Sequence, residues 1–543
     1  MSGRRPGATP IELRVSAAGP HDPRPLAGLL ERLDGEGLLA RPAGTPAAER
    51  RVLGVTEDSR LAAGGRLFVA VRGFHADGHD FASGAAAAGA GAALVEHEVP
   101  GLDIPQIVVA DTRRALAVAA GWWYGDPSRR IGVVGVTGTD GKTTTSFLAA
   151  AALEACGLHT GLVGTVETRL GGLTERHEAH VTTPSAPELQ ALLAAMVEAG
   201  DDAAVVETTS HALELGRVLG VAYDAAVFTN LTHEHLELHG TFERYREAKA
   251  RLFAALATGP ANPGKQVGGR SWPKAAVVNA DDPSRGWFER AAADAGAAVI
   301  RYGWSPDAEV RATAADEDAS RLRVSYTAPS GPADLELQLA GRFNTQNALA
   351  VVALGEALGL APERVRAGLA SVPGVPGRME RIALGQPFSV IVDYAHSPAS
   401  LQAVLEILAP VARRGGGGLV AVFGSAGERD TAKRAVMGRI AGERCRLVVA
   451  ADEDPRGEDG AAIVAEIVAG AVAAGRTEGV DVLGIPDRRA AIAAAFERAR
   501  PGDVVLLAGK GHEPTILYAG GAIPWDEAGV ARETLTAMGF GAG

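Results

Sequence analysis

Cysteine is almost missing from this chain. Cys156 and Cys445 are the only two in 543 residues, and they lie far apart. That is too few for a disulfide framework or a thiolate zinc site, and it predicts a reducing cytoplasm. Long apolar runs are absent as well: no stretch nears the roughly 18 uninterrupted apolar residues that a membrane-spanning helix needs. Arg4 and Arg5 near the N-terminus are not followed by the roughly seven apolar residues of a secretory signal. Basic charge is in deficit, with 53 Lys+Arg against 65 Asp+Glu and a formal charge of −12, which argues against a general nucleic-acid binder. No G-x-G-x-x-G turn follows a strand, which argues against a dinucleotide cofactor, and no repeat of 20–50 residues occurs.

Hydrophobic residues make up 47% of the chain, and at about 150 residues per domain its length predicts three or four cored domains. Residues 1–25, rich in Gly, Pro and Arg, read as a loose tail. Short β-branched runs at 66–71, 93–96 and 106–109, with an Ala-rich helix at 81–88, predict a small α/β domain over 26–112. Buried-strand runs at 131–136, 203–206, 225–228 and 275–278 predict a second α/β domain with a parallel sheet over 113–376, interrupted by a surface loop at 260–273. Val372 to Gly377 (VPGVPG) reads as a hinge. Strands at 390–393, 419–423, 447–450 and 504–508, alternating with helices, predict a third, Rossmann-like, doubly wound domain over 377–543.

Chemistry is concentrated in a few places. Gly135 to Thr145 (GVTGTDGKTTT) stands directly after a strand and before a helix, the context of a phosphate-binding loop. Glycines let backbone N–H groups approach phosphate oxygens, Lys142 supplies a point charge, and Thr143 offers a hydroxyl to Mg²⁺. Position 136 is Val, so the first glycine of the usual pattern is replaced by a flanking pair, Gly135 and Gly138. A nucleoside triphosphate site of this kind leaves motors, kinases, transport ATPases and ligases open.

Glu207 in Val205 to His211 (VVETTSH) falls at a buried strand end, where it could be a Mg²⁺ ligand or a carboxylate beside a helix N-terminus. Thr229 to Gly240 (TNLTHEHLELHG) gathers three His and two acids. Zinc is one reading of it, although H-E-H is not the i, i+4 helical pair of a zinc hydrolase, and single histidines are more often hydrogen-bonded structural groups. Lys249, by spacing alone, reads as a solvated helical lysine.

These motifs, in their order and spacing, resemble the Mur ligases, in particular those members that add the third amino acid to UDP-N-acetylmuramoyl-L-alanyl-D-glutamate. The resemblance also rests on Asp58–Arg60, Gly73–Gly78, Thr182–Pro184, Gly341–Asn347, Gly377–Glu380, Val392–His396, Asp452–Arg456 and Gly509–Glu513, and it covers nearly all of the chain after the tail. It implies an ATP-dependent, ADP-forming ligase that proceeds through an acyl phosphate. ATP would be held by Gly138, Thr139, Asp140, Gly141, Lys142, Thr143 and Thr144, with Asn347, Arg378 and Asp393.

The resemblance further implies one Mg²⁺ on Thr143 and Glu207, and a second on His235 and a carbamylated Lys249, so that Lys142, Glu207, His235 and Lys249 form the catalytic set. Ser59, His75, Ala76, Thr182, Thr183, Thr209 and Arg217 would hold the UDP-muramoyl dipeptide. Arg429, Asp454, Arg456, Gly509 and Glu513 would hold the amino acid, which is meso-diaminopimelate, with L-lysine and L-ornithine as alternatives. A monomer without nucleic-acid or membrane partners is expected.

The sequence departs from the family pattern at Asp140, Thr208, Thr209, Leu215 and Glu234, none of which removes a metal or phosphate ligand. Asp454 replaces Asn, and a carboxylate beside Arg456 is expected to neutralise it and favour a diamino acid ending in an ammonium. Lys142, Arg217, Arg378, Arg429, Lys433 and Arg434 are expected to reverse the net negative charge locally. The competing readings are another ligase of this superfamily, such as a folylpolyglutamate synthetase, and an NTPase that only hydrolyses ATP.

Overall fold

The structure is a computed structural model that describes residues 9–42, 45–73, 76–176, 182–232, 236–257, 265–317, 321–339 and 341–541. Strands Val55–Thr56, Leu67–Val69, Ala92–Val95 and Gln106–Val108 form a four-stranded parallel sheet. The helix Thr112–Tyr124 covers one face of it, and Leu67, Leu94 and Trp123 meet in the core beneath. Asp111 starts that helix by accepting from the N–H groups of Arg113 and Arg114, and Gly125 ends it at φ 71°.

The loose tail expected for residues 1–25 is not what forms from Thr9 onward. Pro10–Ala17 is a helix opened by a reciprocal capping box between Thr9 and Glu12. Thr9 Oγ1 and the Ile11 N–H both donate to the Glu175 carboxylate, at 2.7 and 2.6 Å, and Ile11 is buried against the central region. The composition of the segment is that of a tail, but its capping residues and the packing of Ile11, Val15 and Ala18 dock it on the central core.

Among the described residues the central sheet has eleven strands. Its middle is parallel, in the order Thr160–Val163, Ala203–Glu207, Gly132–Thr137, Ala225–Phe228, Ala275–Asn279 and Ala298–Gly303. Glu167–Leu170 and Leu173–Arg176 extend one edge antiparallel; on the other, Val310–Glu317 runs parallel to Ala298–Gly303 and is followed by the antiparallel Leu322–Ala328 and Gly331–Leu337. The expected parallel sheet forms the middle of this domain, and the antiparallel strands are additions at its edges. Successive residues of Gly132–Thr137 serve opposite layers. Val134 and Val136 pack under the helices Lys142–Ala155 and Asn344–Ala357, while Val133 packs under Ala186–Ala199 and Phe242–Ala254.

The segment read as an irregular loop at 260–273 contains a β-hairpin, Lys265–Val267 with Arg270–Trp272. Trp272 is 1% exposed and lies on Gly132, where an added Cβ would meet its ring at 2.5 Å. Burial of that indole, worth about 3–5 kcal/mol on truncation to Ala, outweighs the turn-rich composition. Lys265 from the hairpin and Lys274 both bind the fully buried Asp224, at 2.6 and 3.0 Å.

The C-terminal sheet runs Glu380–Ile382, Ser389–Asp393, Val504–Ala508, Leu419–Phe423, Leu447–Ala450, Val482–Gly484, with only the first strand antiparallel. The loops after Asp393, Ala508 and Ala450 therefore emerge on one edge, as in doubly wound sheets whose ligands sit outside the carboxyl ends of the strands. Gly377, in the expected hinge, has φ 65°, and a Cβ there would meet the His512 nitrogen at 2.2 Å. Only glycine lets the hinge pack on the Gly511–His512 turn.

Candidate active site

The carboxyl edges of the central and C-terminal sheets face a shared cavity of about 1050 Å³. On the central side the chain leaves the strand Gly132–Thr137 and turns at Gly138 (φ 152°) and Gly141 (φ 79°) into the helix Lys142–Ala155. Neighbours fix this loop at both glycines: added Cβ atoms would meet Thr229 Oγ1 at 1.8 Å and Asn347 Oδ1 at 2.4 Å. The Thr139 and Asp140 N–H groups donate to the Asn230 carbonyl and side-chain oxygens, at 2.8 and 2.9 Å, and Thr229 Oγ1 donates to the Asp140 carbonyl at 2.6 Å. Lys142 Nζ donates to the Thr139 carbonyl at 2.7 Å, folding back over the loop that it would otherwise neutralise.

Glu207 ends the strand Ala203–Glu207 with 0% exposure. Its carboxylate accepts from Thr143 Oγ1 at 3.1 Å, and from Thr165 Oγ1 and N–H at 2.9 and 3.0 Å. A buried carboxylate and a hydroxyl at the mouth of a phosphate loop are hard oxygen donors, the set Mg²⁺ prefers. The partners of the Glu207 carboxylate are the Thr143 and Thr165 hydroxyls and the Thr165 N–H. Lys249 is also corrected from a solvated lysine: it is 1% exposed and its Nζ donates to the Gly138 carbonyl at 2.7 Å. His235 and His75 lie outside the described residues. Among the described residues no cluster of three His, Cys, Asp or Glu could hold a metal.

Thr182, Thr183, Thr209 and Arg217 line the same cavity. Thr183 Oγ1 donates to the Glu207 carbonyl at 2.7 Å, and Arg217 Nη1 donates to the Thr183 carbonyl at 2.9 Å. Burial lowers the Arg217 pKa and raises that of Glu57, whose carboxylate faces Ser185 and Arg217 from the end of the first sheet. Ser59 and Ala76 belong to that first region and do not line the cavity.

From the C-terminal side come Arg378, Asp393, Tyr394, His512 and Glu513. Asp393 accepts from the N–H groups of Met379 (2.8 Å) and Ala395 (2.9 Å); burial raises its pKa, with Arg378 opposing. The Arg378 guanidinium lies 4.9 Å from the Tyr394 ring centre, and Tyr394 OH donates to Glu513 Oε1 at 3.0 Å. Asn347 faces the loop from the helix Asn344–Ala357.

Three family models match this chain: that of the Mur ligase family catalytic domain over residues 51–124, the Mur ligase middle domain over 136–355, and the Mur ligase glutamate ligase domain over 377–511. The UDP-N-acetylmuramyl-tripeptide synthetase of Roseiflexus sp. (strain RS-1) is 50% identical over 511 residues, 93% of this chain and 98% of that one. The chain belongs to the Mur ligase family. The UDP-N-acetylmuramoyl-L-alanyl-D-glutamate–2,6-diaminopimelate ligase of Geobacillus kaustophilus (strain HTA426) is 39% identical over 90% of this chain and 96% of its own. A solved structure of a ligase of that same description superposes with a TM-score of 0.65 at 29% identity, covering 92% of this chain and 98% of that one.

Within this Mur ligase architecture the expected amino-acid residues divide. Glu513 lines the cavity; Arg429, Asp454, Arg456 and Gly509 do not. Arg429 is exposed, and Arg434 adds no local positive potential, because its buried guanidinium pairs with Glu458 and Glu466. The expected neutralisation of Arg456 by Asp454 is replaced by another pairing: Asp454 Oδ1 accepts from Lys510 Nζ at 2.8 Å and from the Leu517 N–H at 2.9 Å. Four residues that the sequence reading did not single out complete the Mur ligase site, namely Thr165, Asn230, Tyr394 and Lys510. Three of them, Asn230, Tyr394 and Lys510, sit inside motifs that were recognised; Thr165 sits in none.

Proposed function

We propose that this protein is an ATP-dependent amide ligase, a cytoplasmic monomer, that adds meso-diaminopimelate to UDP-N-acetylmuramoyl-L-alanyl-D-glutamate. The reading is carried by one observation: the phosphate loop, the Thr182–Thr183–Arg217 cluster and the Tyr394–Glu513 pair open into the same cavity. Region 26–112 is assigned the uridine nucleotide through Ser59, His75 and Ala76, region 113–376 ATP and the muramoyl dipeptide, and region 377–543 the amino acid.

A carboxylate does not form an amide unaided, because its oxygen is a poor leaving group. The γ-carboxylate of the D-Glu residue, presented by Thr182, Thr183, Thr209 and Arg217, attacks the γ-phosphorus of ATP; ADP leaves and an acyl phosphate remains. Lys142 turns from the Thr139 carbonyl to the transferring phosphoryl group, and the loop N–H groups hold its neighbours. Thr143 and Glu207 would hold Mg²⁺, which supplies positive charge against the phosphate oxygens. Lys249, as a carbamate with His235, would offer oxygen and nitrogen to a second ion. The ammonium of the third amino acid, received by Glu513, gives a proton to that carboxylate, and the resulting amine attacks the acyl carbon; the carbon–oxygen bond to phosphate breaks, and the second N–H proton leaves with the departing phosphate.

Diaminopimelate is favoured over lysine or ornithine by Arg456. Asp454 is engaged by Lys510, and Arg456 Nε is buried without a hydrogen-bond partner, so a planar fork remains for a distal carboxylate. Mass spectrometry of the product with diaminopimelate, lysine and ornithine in competition tests this, and the diaminopimelate adduct is expected to dominate. Activity only with a folate acceptor, or phosphate release indifferent to any amino acid, would overturn the reading.

A further inference from the structure

Behind the acceptor edge of the C-terminal sheet, a single buried guanidinium ties together two segments that the proposed function needs. Arg488 opens the helix Arg488–Glu497, with its side chain 1% exposed. Its Nη1 donates to the Asp452 carbonyl at 3.0 Å and its Nη2 to the Ala508 carbonyl at 2.7 Å. The remaining edge is paired with Glu527, Nε to Oε2 at 2.9 Å and Nη2 to Oε1 at 2.7 Å. Glu527 is itself fully buried and also accepts from Trp525 Nε1 at 2.6 Å.

The two carbonyls belong to strand ends that are not neighbours. Ala508 ends Val504–Ala508, and Asp452 follows Leu447–Ala450; the strand Leu419–Phe423 lies between them. Each of the two strands pairs with Leu419–Phe423 between them, and Arg456 meets Tyr518 in an isolated bridge; the rigid planar fork adds a direct tie between the two strand ends themselves. Asp452 begins the segment that carries Asp454 and Arg456, and Ala508 precedes the one that carries Lys510 and Glu513. On the side of Glu513, Lys510 joins the same two segments through Asp454.

A buried ion pair is a poor source of stability, because desolvation offsets much of its attraction and an apolar pair of similar volume often does as well. Its use here is geometric. We propose that Arg488, held by Glu527, is a positioning residue for the acceptor amino acid: it fixes the spacing between Arg456 and Glu513 without touching substrate. This rests on the ligase reading above.

The test uses the full chain with Arg488→Lys, Glu527→Gln and the double variant Arg488→Met/Glu527→Met. Two readouts are compared: hydroxamate formed from the UDP-muramoyl dipeptide, ATP and hydroxylamine without amino acid, and the KM for diaminopimelate in the complete reaction. Arg488→Lys is expected to keep hydroxamate formation and the KM for ATP within about twofold, while the KM for diaminopimelate rises about ten- to a hundredfold, as misplacement near 1 Å does. The double variant, with charge balanced and the core filled, is expected to stay folded and keep the raised KM. Recovery of the wild-type KM in the double variant, or an unchanged KM in folded Arg488→Lys, would overturn the positioning role. Absence of hydroxamate from the wild-type protein would instead sink the ligase reading, and this inference with it.

Discussion

Lys510 donates to Asp454 at 2.8 Å across 56 residues of sequence, with the lysine side chain fully buried. The same ammonium lies 2.7 Å from Glu513 Oε2, so one cation serves two carboxylates and the triad keeps a net negative charge toward an incoming ammonium. Asp454→Asn still offers an oxygen to Lys510 but removes that excess charge. The KM for diaminopimelate should rise about three- to tenfold, with a loss of stability of about 1–2 kcal/mol. Lys510→Met leaves two buried carboxylates without their cation and should cost about 3–5 kcal/mol. Urea titration with steady-state kinetics reads both.

Glu207 receives three hydrogen bonds and lies against Thr143 in the phosphate loop. Glu207→Gln keeps the volume and most of the bonds but loses the charge. Phosphate release should fall about 10²-fold or more while the thermal midpoint moves little. Activity near that of the wild type would overturn the proposed metal-ligand role of Glu207.

Lys249→Ala should lose most activity and regain part of it when a short-chain carboxylate is supplied to the vacated space. Lys249→Arg, which keeps a cation but cannot form a carbamate, should stay inactive with or without the additive. Full activity of Lys249→Ala would exclude the carbamate.

Asp224 is shared by two buried ammoniums, and burial holds Lys265 down to about 8. A base depressed in the folded state binds fewer protons there than in the unfolded chain between about pH 8 and its ordinary 10.5. Stability from this group therefore rises with pH across that window, by an amount on the order of 2–3 kcal/mol. Wild type minus Lys265→Met in urea unfolding should grow from pH 8 to pH 10; a flat difference would contradict the assignment.

Much of the fold was legible because its strands are continuous apolar runs. Ala225–Phe228, Leu419–Phe423, Leu447–Ala450 and Val504–Ala508 stand where their composition put them. The edges were not legible. Gly331–Leu337 alternates half-exposed residues in a polar sequence, and its pairing with Leu322–Ala328 comes from register rather than composition. The helix Pro10–Ala17 and the hairpin around Trp272 were hidden by Gly and Pro around them, since a cap or one buried indole is a local signal that averages do not carry.

The sequence by itself determined the chemistry on offer: a glycine-rich loop with Lys142 and Thr143, a strand-end Glu207, and the motifs ending in Arg456 and Glu513. These depend on residue type and on spacing within one strand–loop–helix unit. Only the tertiary structure decided the pairings between units. It put Thr165 on Glu207, buried Lys249 under the Gly138 carbonyl, gave Asp454 to Lys510 rather than Arg456, and set Arg488 across two strand ends. Such partners are tens to hundreds of residues apart, and what selects them is the cost of leaving a buried charge or carbonyl unpaired, which exists only once the sheets have closed around it.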